Sequence, residues 1–476
     1  VTFAGELPPE RFNLARYCLA GRPPEKTALI VAGSQPGRYT YGEIEDRVLR
    51  MAEGLRRHGL QPGERLAICL QNGLACVLTF FAANAAGAVP VPLSPLLTAA
   101  EVNRLVADCA PRAIAWDGAG ERPEGAPLLA LSGLGRAPRG DYAATGRDDP
   151  AFLVYTSGTT AMPKGVLHAQ RAVWGRRPMY RGWYGIGPDD VMLHTGAMNW
   201  TYTLGTGLMD PWANGATAIL YVGPRDDTVW ERQAATHGAT LLASVPGLYR
   251  QMLRTGFRAP PGLRHGLVAG ETLPRSVLQA WTEATGLPLF EALGMSEIST
   301  YISAGPEVPV RPGSPGKPQP GRSVTILAGG LIGVHRTDPG LMLGYWGRPE
   351  EEAAVWHGDW FAGGDVGRID ADGYVWHEGR ANELMNAGGY RVSPLEVEAA
   401  LAEHPAVAEV AAAEIRVSED VSIIVAFVVP RMSIAAGALL RFAAERLATY
   451  KLPREVRFVE SLPRTANGKV IRGKLR

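Results

Sequence analysis

Polar and apolar positions in the first third of the chain alternate between two periods. Thr40 and Glu43 form a capping-box pattern, and Ile44, Val48, Ala52 and Leu55 follow at helical spacing. The run predicts a helix that stops at Gly59, a residue free to adopt the left-handed conformation of a helix end. Residues 65–70 read as a short strand, 74–86 as an apolar helix and 88–91 as another strand. Thr98 and Glu101 repeat the capping box before a further helix, which leads into a strand at 113–116. This rhythm predicts α/β layers with mostly parallel strands.

Past residue 361 the pattern changes. Segments 366–369 and 374–377 flank turn residues 370–373 and predict a hairpin. Ser393, Pro394 and Glu396 then supply a cap, a first helical residue and an acidic third position. Strand-like runs at 407–415 and 421–429, a helix near 435–447 and a strand at 455–459 complete a small α+β unit of roughly a hundred residues. The boundary falls within 379–382, giving a large domain over 1–379 and a small one over 380–476. Residues 305–320, dense in Pro and Gly, read as an ordered loop without elements.

Size and charge narrow the class. The 476 residues suffice for two or three packed cores, and a formal net charge of +1 gives no electrostatic case for nucleic acid or an anionic membrane. The longest apolar run, 423–429, is too short to span a bilayer and reads as a buried strand. No basic and apolar leader pattern follows Val1. Cys18, Cys69, Cys76 and Cys109 lack C-x-x-C spacing and a nearby His cluster, so reduced thiols in a cytoplasmic enzyme are expected.

Candidate chemistry starts at 155–166. After an apolar strand at 152–155 come Thr156, Ser157, Gly158, Thr159 and Thr160, then Pro163, Lys164 and Gly165. Hydroxyls and free backbone N–H groups on a glycine-bearing turn suit phosphate oxygens, and Lys164 adds a point charge. This is not a Walker loop, since Gly165 follows Lys164 where a Ser or Thr would have to bind Mg²⁺. From its chemistry alone the segment reads equally as a phosphate site or as a polar surface turn.

The loop resembles the signature loop of the adenylate-forming superfamily: acyl-CoA synthetases, peptide-synthetase adenylation domains and firefly-type luciferases. Ala161 stands where those enzymes usually carry Gly. The resemblance covers nearly the whole chain, and its other motifs follow in order. Gly270, Glu271 and Thr272 resemble the loop bordering adenine. Leu293, Gly294, Met295, Ser296 and Glu297 resemble the tyrosine–glycine–x–threonine–glutamate motif, with Leu293 replacing the aromatic. The likeness implies that Ser296 binds phosphate and that Glu297 ligates Mg²⁺. It also implies that Asp365 holds the ribose hydroxyls and that Arg380 contacts ribose or phosphate.

Asn382 falls at the pivot between domains, where relatives carry Asp or Lys. Gly388, Gly389 and Tyr390 resemble the loop lining the coenzyme A tunnel, and Lys469 matches the catalytic lysine. Singly, each residue admits a bland reading: Asp365 as a turn carboxylate, Arg380 and Lys469 as solvated charges. Jointly, their order along the chain is what the family predicts.

The implied fold is α/β, a large multi-layer N-terminal domain with mostly parallel sheets plus a small mobile α+β C-terminal domain. The implied reaction has two steps. A carboxylate attacks the α-phosphorus of ATP, with Thr156, Glu297 and Lys469 as catalytic residues and Mg²⁺ as counter-ion. Coenzyme A then displaces AMP after the small domain turns about Asn382. Residues 199–213 resemble the matching region of acetyl- and medium-chain acyl-CoA synthetases, so Trp200, Tyr202, Gly270, Gly294 and Met295 are expected to line the acyl pocket. Gly294 stands where acetate-type enzymes carry a capping tryptophan, which predicts room for a medium-sized acid: aromatic, medium-chain, or branched or hydroxylated short-chain.

Trp200 reads equally as a tunnel gate or a core aromatic. His168 and the methionines Met192, Met198, Met209 and Met295 read as packing residues. Residues 327–332 look shorter than in relatives. A carrier-protein-loading adenylation enzyme and a nucleotide-binding regulator without catalysis are the alternatives. The expected partners are a small acid, ATP and coenzyme A, with no nucleic acid or membrane, in a monomer or homodimer.

Overall fold

The computed structural model describes residues 6–475 except 119–121, 157–162, 271, 272, 274, 382–384, 388, 389, 393, 419, 420, 464–469 and 471. Both capping boxes form: Thr40 opens the helix Tyr41–Arg57 and Thr98 opens Ala99–Cys109, each with its third-position glutamate returning a hydrogen bond. The apolar helix lies at Leu74–Ala85, and strands at Arg65–Cys69, Val89–Pro92 and Ala113–Trp116 join Leu128–Leu129 in an all-parallel sheet.

A nine-stranded sheet is the largest layer. Its six central strands, Thr27–Gly33, Thr217–Val222, Val191–His194, Leu241–Ser244, His265–Ala269 and Leu289–Met295, pair in parallel in that order. In such a sheet, segments that can bind ligands gather where the carboxyl ends of the strands give way to loops. Ser299–Ser303 and Lys317–Pro318 extend one edge antiparallel. The last of these corrects the expectation of an element-free loop over 305–320: Pro318 takes the outermost strand, where a missing N–H costs no ladder bond. A three-stranded antiparallel sheet holds Pro150–Thr156, Lys164–Ala169 and Gly344–Tyr345.

The hairpin forms from Asp365–Ile369 and Val375–Arg380. Beyond it, Val407–Ser418, Val421–Pro430 and Glu455–Phe458 make a separate sheet against helices Pro394–Ala402 and Ala436–Ala444. Val397, Leu401, Ile424, Val428 and Leu439 fill its own core, so this C-terminal domain buries its apolar faces without help from the large domain. The run 423–429 lies inside Val421–Pro430, as its apolar pattern requires. Residues 328–330 form a short turn between the antiparallel strands Val324–Ile326 and Ile332–His335. Among the described residues no helix is long and apolar enough to cross a membrane, and all four cysteines are free thiols.

Candidate active site

The signature loop springs from the closed end of a hairpin. Thr156 pairs with Lys164 in the last register of Pro150–Thr156 and Lys164–Ala169, so the ladder fixes both ends of the turn. Ser157, Gly158, Thr159 and Thr160 lie outside the described residues, as does Ala161. The Lys164 ammonium lies 2.5 Å from Glu351 Oε2 and 4.8 Å over the Tyr345 ring. Its charge is therefore answered by the protein itself in this arrangement.

The strand Leu289–Met295 turns tightly into Ser299–Ser303, with Met295 opposite Ser299 and with Ser296 and Glu297 on the turn. Glu297 Oε1 accepts a 2.7 Å hydrogen bond from the Tyr345 hydroxyl, and the Glu297 carbonyl accepts from Met342 N–H. The Ser296 carbonyl accepts from His168 Nε2 at 2.8 Å, and the His168 ring stacks on Phe152 at 4.5 Å. Burial pushes the His168 pKa down to about 3, so the ring is neutral and its role is to hold the turn.

Gly294 has a reason of its own for being glycine. A Cβ there would lie 2.5 Å from the Ser299 carbonyl oxygen, against the backbone of the adjoining strand. The absent side chain is thus required by strand packing, and acyl space cannot be inferred from it alone. Leu293 and Met295 are buried. Gly363 packs so closely on the Met295 sulfur that a Cβ would collide with it, which brings the segment before Asp365 onto the same turn.

Asp365 is fully buried, with Oδ1 accepting from His377 Nε2 at 3.2 Å. Arg380 ends the hairpin strand opposite Asp365. Gly270 leaves the strand His265–Ala269 at φ +97°, a conformation that demands glycine. Tyr202 lies nearby: its hydroxyl donates to the carbonyls of Ser244 and Leu267 at 3.2 and 3.4 Å, on the strands Leu241–Ser244 and His265–Ala269. Glu271, Thr272, Asn382, Gly388, Gly389 and Lys469 lie outside the described residues.

The two domains meet in a cleft lined by Ser94, Leu97, Thr156, Trp200, Tyr450 and Lys451. Trp200 is half-buried there, with ring centroids 5.8 Å from Tyr390 and 6.3 Å from Tyr450; the two tyrosines stack at 4.2 Å. Trp200 is therefore an interdomain aromatic, not a core one. Beside it Lys451 reaches Glu101 Oε1 at 3.2 Å.

Sequence reasoning missed Tyr450, Lys451, Tyr345 and Glu291. None carries a motif signal; each is visible only through what it touches. Glu291, on the strand Leu289–Met295, accepts from Leu273 N–H at 2.9 Å and so anchors Leu273. Burial raises its pKa to about 7, partly offset by that hydrogen bond.

The donor set bears on a metal. Among the described residues no three His, Cys, Asp or Glu side chains converge. A single carboxylate, Glu297, with Oε2 free of described partners, suits Mg²⁺, which needs few protein oxygens when phosphates and water supply the rest.

Thr156 and Trp200 thus line the interdomain cleft, and Gly363 ties the segment before Asp365 to the strand that leads into the Ser296–Glu297 turn. The AMP-binding enzyme model matches residues 18–346 and the AMP-binding enzyme C-terminal domain model matches 396–469. The chain belongs to the AMP-binding enzyme family. It is 33% identical over 485 residues to 3-hydroxybenzoate–CoA ligase of Aromatoleum sp. (strain CIB), covering 94% of this chain and 92% of that one. It is 32% identical to benzoate–CoA ligase of Thauera aromatica, covering 98% and 96%. Among solved structures, a double mutant of o-succinylbenzoate CoA synthetase from Bacillus subtilis, bound to a product analogue, superposes with TM-score 0.90 at 27% identity over 98% of both chains. The same synthetase in complex with AMP gives 0.72 at the same identity and coverage. As a member of this family the chain is an AMP-forming acid–thiol ligase that uses ATP and coenzyme A.

Proposed function

We propose that the protein converts a benzoate-like carboxylic acid to its coenzyme A thioester through an acyl-adenylate, with Mg²⁺ assisting the first step. The observation that carries the aromatic choice is Tyr202. Its hydroxyl is committed to two backbone carbonyls, so it offers the acyl region a ring rather than a polar group. With Met295 and Gly270 as the other expected pocket residues, an apolar face of this kind suits an arene. The two ligases of benzoate and hydroxybenzoate among the relatives support the same class.

An ionised carboxylate is already nucleophilic, so the first step asks mainly for orientation and charge neutralisation. Thr156 and the hydroxyls after it bind the departing phosphates, Ser296 binds the α-phosphate and Asp365 the ribose. Glu297 holds Mg²⁺, which supplies positive charge to the phosphates. Arg380 adds a fork of donors, and Lys469 bridges the carboxylate and ribose-side oxygens. Residues 380–476 form the moving unit, with Asn382 as pivot.

In the second step the thiol enters beside Trp200 and Tyr390, with Gly388 and Gly389 allowing close backbone approach. The docking of Tyr390 and Tyr450 on Trp200 fits this second step, and the higher TM-score to the product-analogue complex than to the AMP complex supports it.

Incubation with ATP, Mg²⁺, coenzyme A and a mixed library of aromatic, medium-chain and short branched acids, read by mass spectrometry, tests the reading. Benzoyl-type thioesters should dominate with stoichiometric AMP. Preferential use of aliphatic acids overturns the aromatic assignment, and thioester formation on a carrier protein without coenzyme A overturns the acceptor.

A further inference from the structure

Beneath the Ser296–Glu297 turn lies a buried polar assembly that the mechanism above does not use. The Arg176 guanidinium grips Asp210 with two parallel hydrogen bonds, Nε to Oδ1 at 2.8 Å and Nη2 to Oδ2 at 2.6 Å. The pair's side chains are 7% and 0% exposed. Tyr184 donates to Asp210 Oδ2 at 2.8 Å and shares a hydrogen bond with Thr206. Burial opposes the charge on Arg176, but Asp210 outweighs it and holds the guanidinium firmly protonated. The remaining Nη1 donates to the hydroxyl of Ser299.

Ser299 is one of three described non-glycine residues at positive φ, at +77°. A serine pays conformational free energy to stand there, on the order of 1–2 kcal/mol. It does so directly opposite Met295, where the turn carrying Ser296 and Glu297 closes. A small cavity lined by Phe152, His168, Arg176, Met209, Ser296 and Ser299 lies under the turn, so the hydrogen bonds from His168 and Arg176 act beside the packing of Met295 and Ile298 in holding it. Asp210 belongs to the helical run that begins just after Trp200, with turns at Thr201–Leu204, Gly205–Met209 and Asp210–Ala213. Within that run Gly205 is where Arg176 passes: a Cβ there would collide with the guanidinium.

We propose that Arg176, oriented by Asp210, is a positioning residue for adenylation. It clamps Ser299 in the left-handed conformation and thereby sets Glu297 and Ser296 against the nucleotide. The same clamp ties that turn to the helical run behind Trp200, so the two parts of the site keep one spacing. The proposal rests on Glu297 acting as the Mg²⁺ ligand.

The test uses Ser299→Ala and Ser299→Gly, with Glu297→Gln as reference. Three quantities are read: ATP–pyrophosphate exchange, Mn²⁺ binding in the presence of ATP by electron paramagnetic resonance, and thioester formation from supplied acyl-adenylate. Both Ser299 variants should lose about tenfold in exchange, the effect of misplacing one charge-stabilising group, and should bind Mn²⁺ several-fold more weakly. Transfer from acyl-adenylate should be unchanged. Because glycine suits the positive φ, Ser299→Gly should melt no lower than Ser299→Ala and carries the test if the alanine variant does not fold. Wild-type exchange and Mn²⁺ affinity in the Ser299 variants, with Glu297→Gln impaired, overturn the clamp alone. Equal loss of both half-reactions with unchanged Mn²⁺ binding also overturns it. Normal Mn²⁺ binding by Glu297→Gln instead overturns the metal assignment beneath it.

Discussion

Two buried ion pairs contrast a contact inside the large domain with one that joins it to the C-terminal domain. Arg176–Asp210 lies wholly within the large domain, a planar fork on a carboxylate with Tyr184, Thr206 and Ser299 completing the set. Glu101–Lys451 joins the two domains through a 3.2 Å contact from a point charge, with the side chains 5% and 6% exposed. Both are dry in this arrangement. They differ in what separation would entail: Arg176 has no route to water without unfolding, whereas Lys451 and Glu101 would regain water if the C-terminal domain turns as proposed. A desolvation penalty that a domain motion can refund makes a reversible contact; one that cannot makes a fixed frame.

The largest effect should come from the moving part. Lys469→Ala should abolish pyrophosphate exchange, by at least about a hundredfold, since it removes the cation proposed to bridge the carboxylate and the ribose-side oxygens during adenylation. Thioester formation from supplied acyl-adenylate should remain largely intact. Single-turnover assays of the two half-reactions make the comparison, and equal loss in both would mean that Lys469 is not tied to one domain orientation.

On the fixed side, Arg176→Met strands Asp210 in the core. Removing one partner of a buried pair costs about 3–5 kcal/mol, and urea unfolding of the large domain should report it. Arg176→Met with Asp210→Leu should recover much of that stability while leaving exchange impaired. A double variant with full exchange activity would show that the pair serves packing only.

Glu291 sharpens the contrast, because it is a buried carboxylate with no cationic partner among the described hydrogen bonds. Its pKa of about 7, raised by burial, means that the folded chain keeps a proton the unfolded chain releases. The stability this contributes is present in full below about pH 4.5 and is lost as pH rises through about 7, roughly 3 kcal/mol in all. Glu291→Gln should flatten that part of the stability profile in urea titrations between pH 5 and pH 8. An unchanged slope would assign the pH dependence elsewhere.

The extent to which the sequence announced all this follows the range of the interactions. Local devices were legible: both capping boxes, the helix ending before Gly59 and the hairpin around residues 370–373 depend on contacts a few residues apart. Lys317–Pro318 was not, because its strand character comes only from Ser299–Ser303 beside it. At the site, the family was legible through the order of the motifs, but the supports of those motifs were not. Tyr345 meets Glu297 across 48 residues and Arg176 meets Ser299 across 123, and neither carries a local pattern. Gly294 shows a converse limit: its absent side chain reads as acyl space, and the structure adds a backbone reason for it that the sequence does not carry.

Lys451→Met should produce the smallest effect, and its smallness is the point. By the arithmetic of a locked interior, stranding Glu101 would cost as much as stranding Asp210. Glu101 has two escapes that Asp210 lacks. Its Oε2 is already occupied by Thr98 N–H at 3.0 Å, where it caps the helix Ala99–Cys109, and the proposed undocking of the C-terminal domain would return Oε1 to water. The melting temperature of the large domain should therefore change little. The cost should fall instead on the docked population: thioester formation from supplied acyl-adenylate should slow by a few-fold, the scale of about 1 kcal/mol, while pyrophosphate exchange holds or rises slightly. A large drop in stability would make Glu101–Lys451 a second fixed strut and erase the distinction between the two pairs.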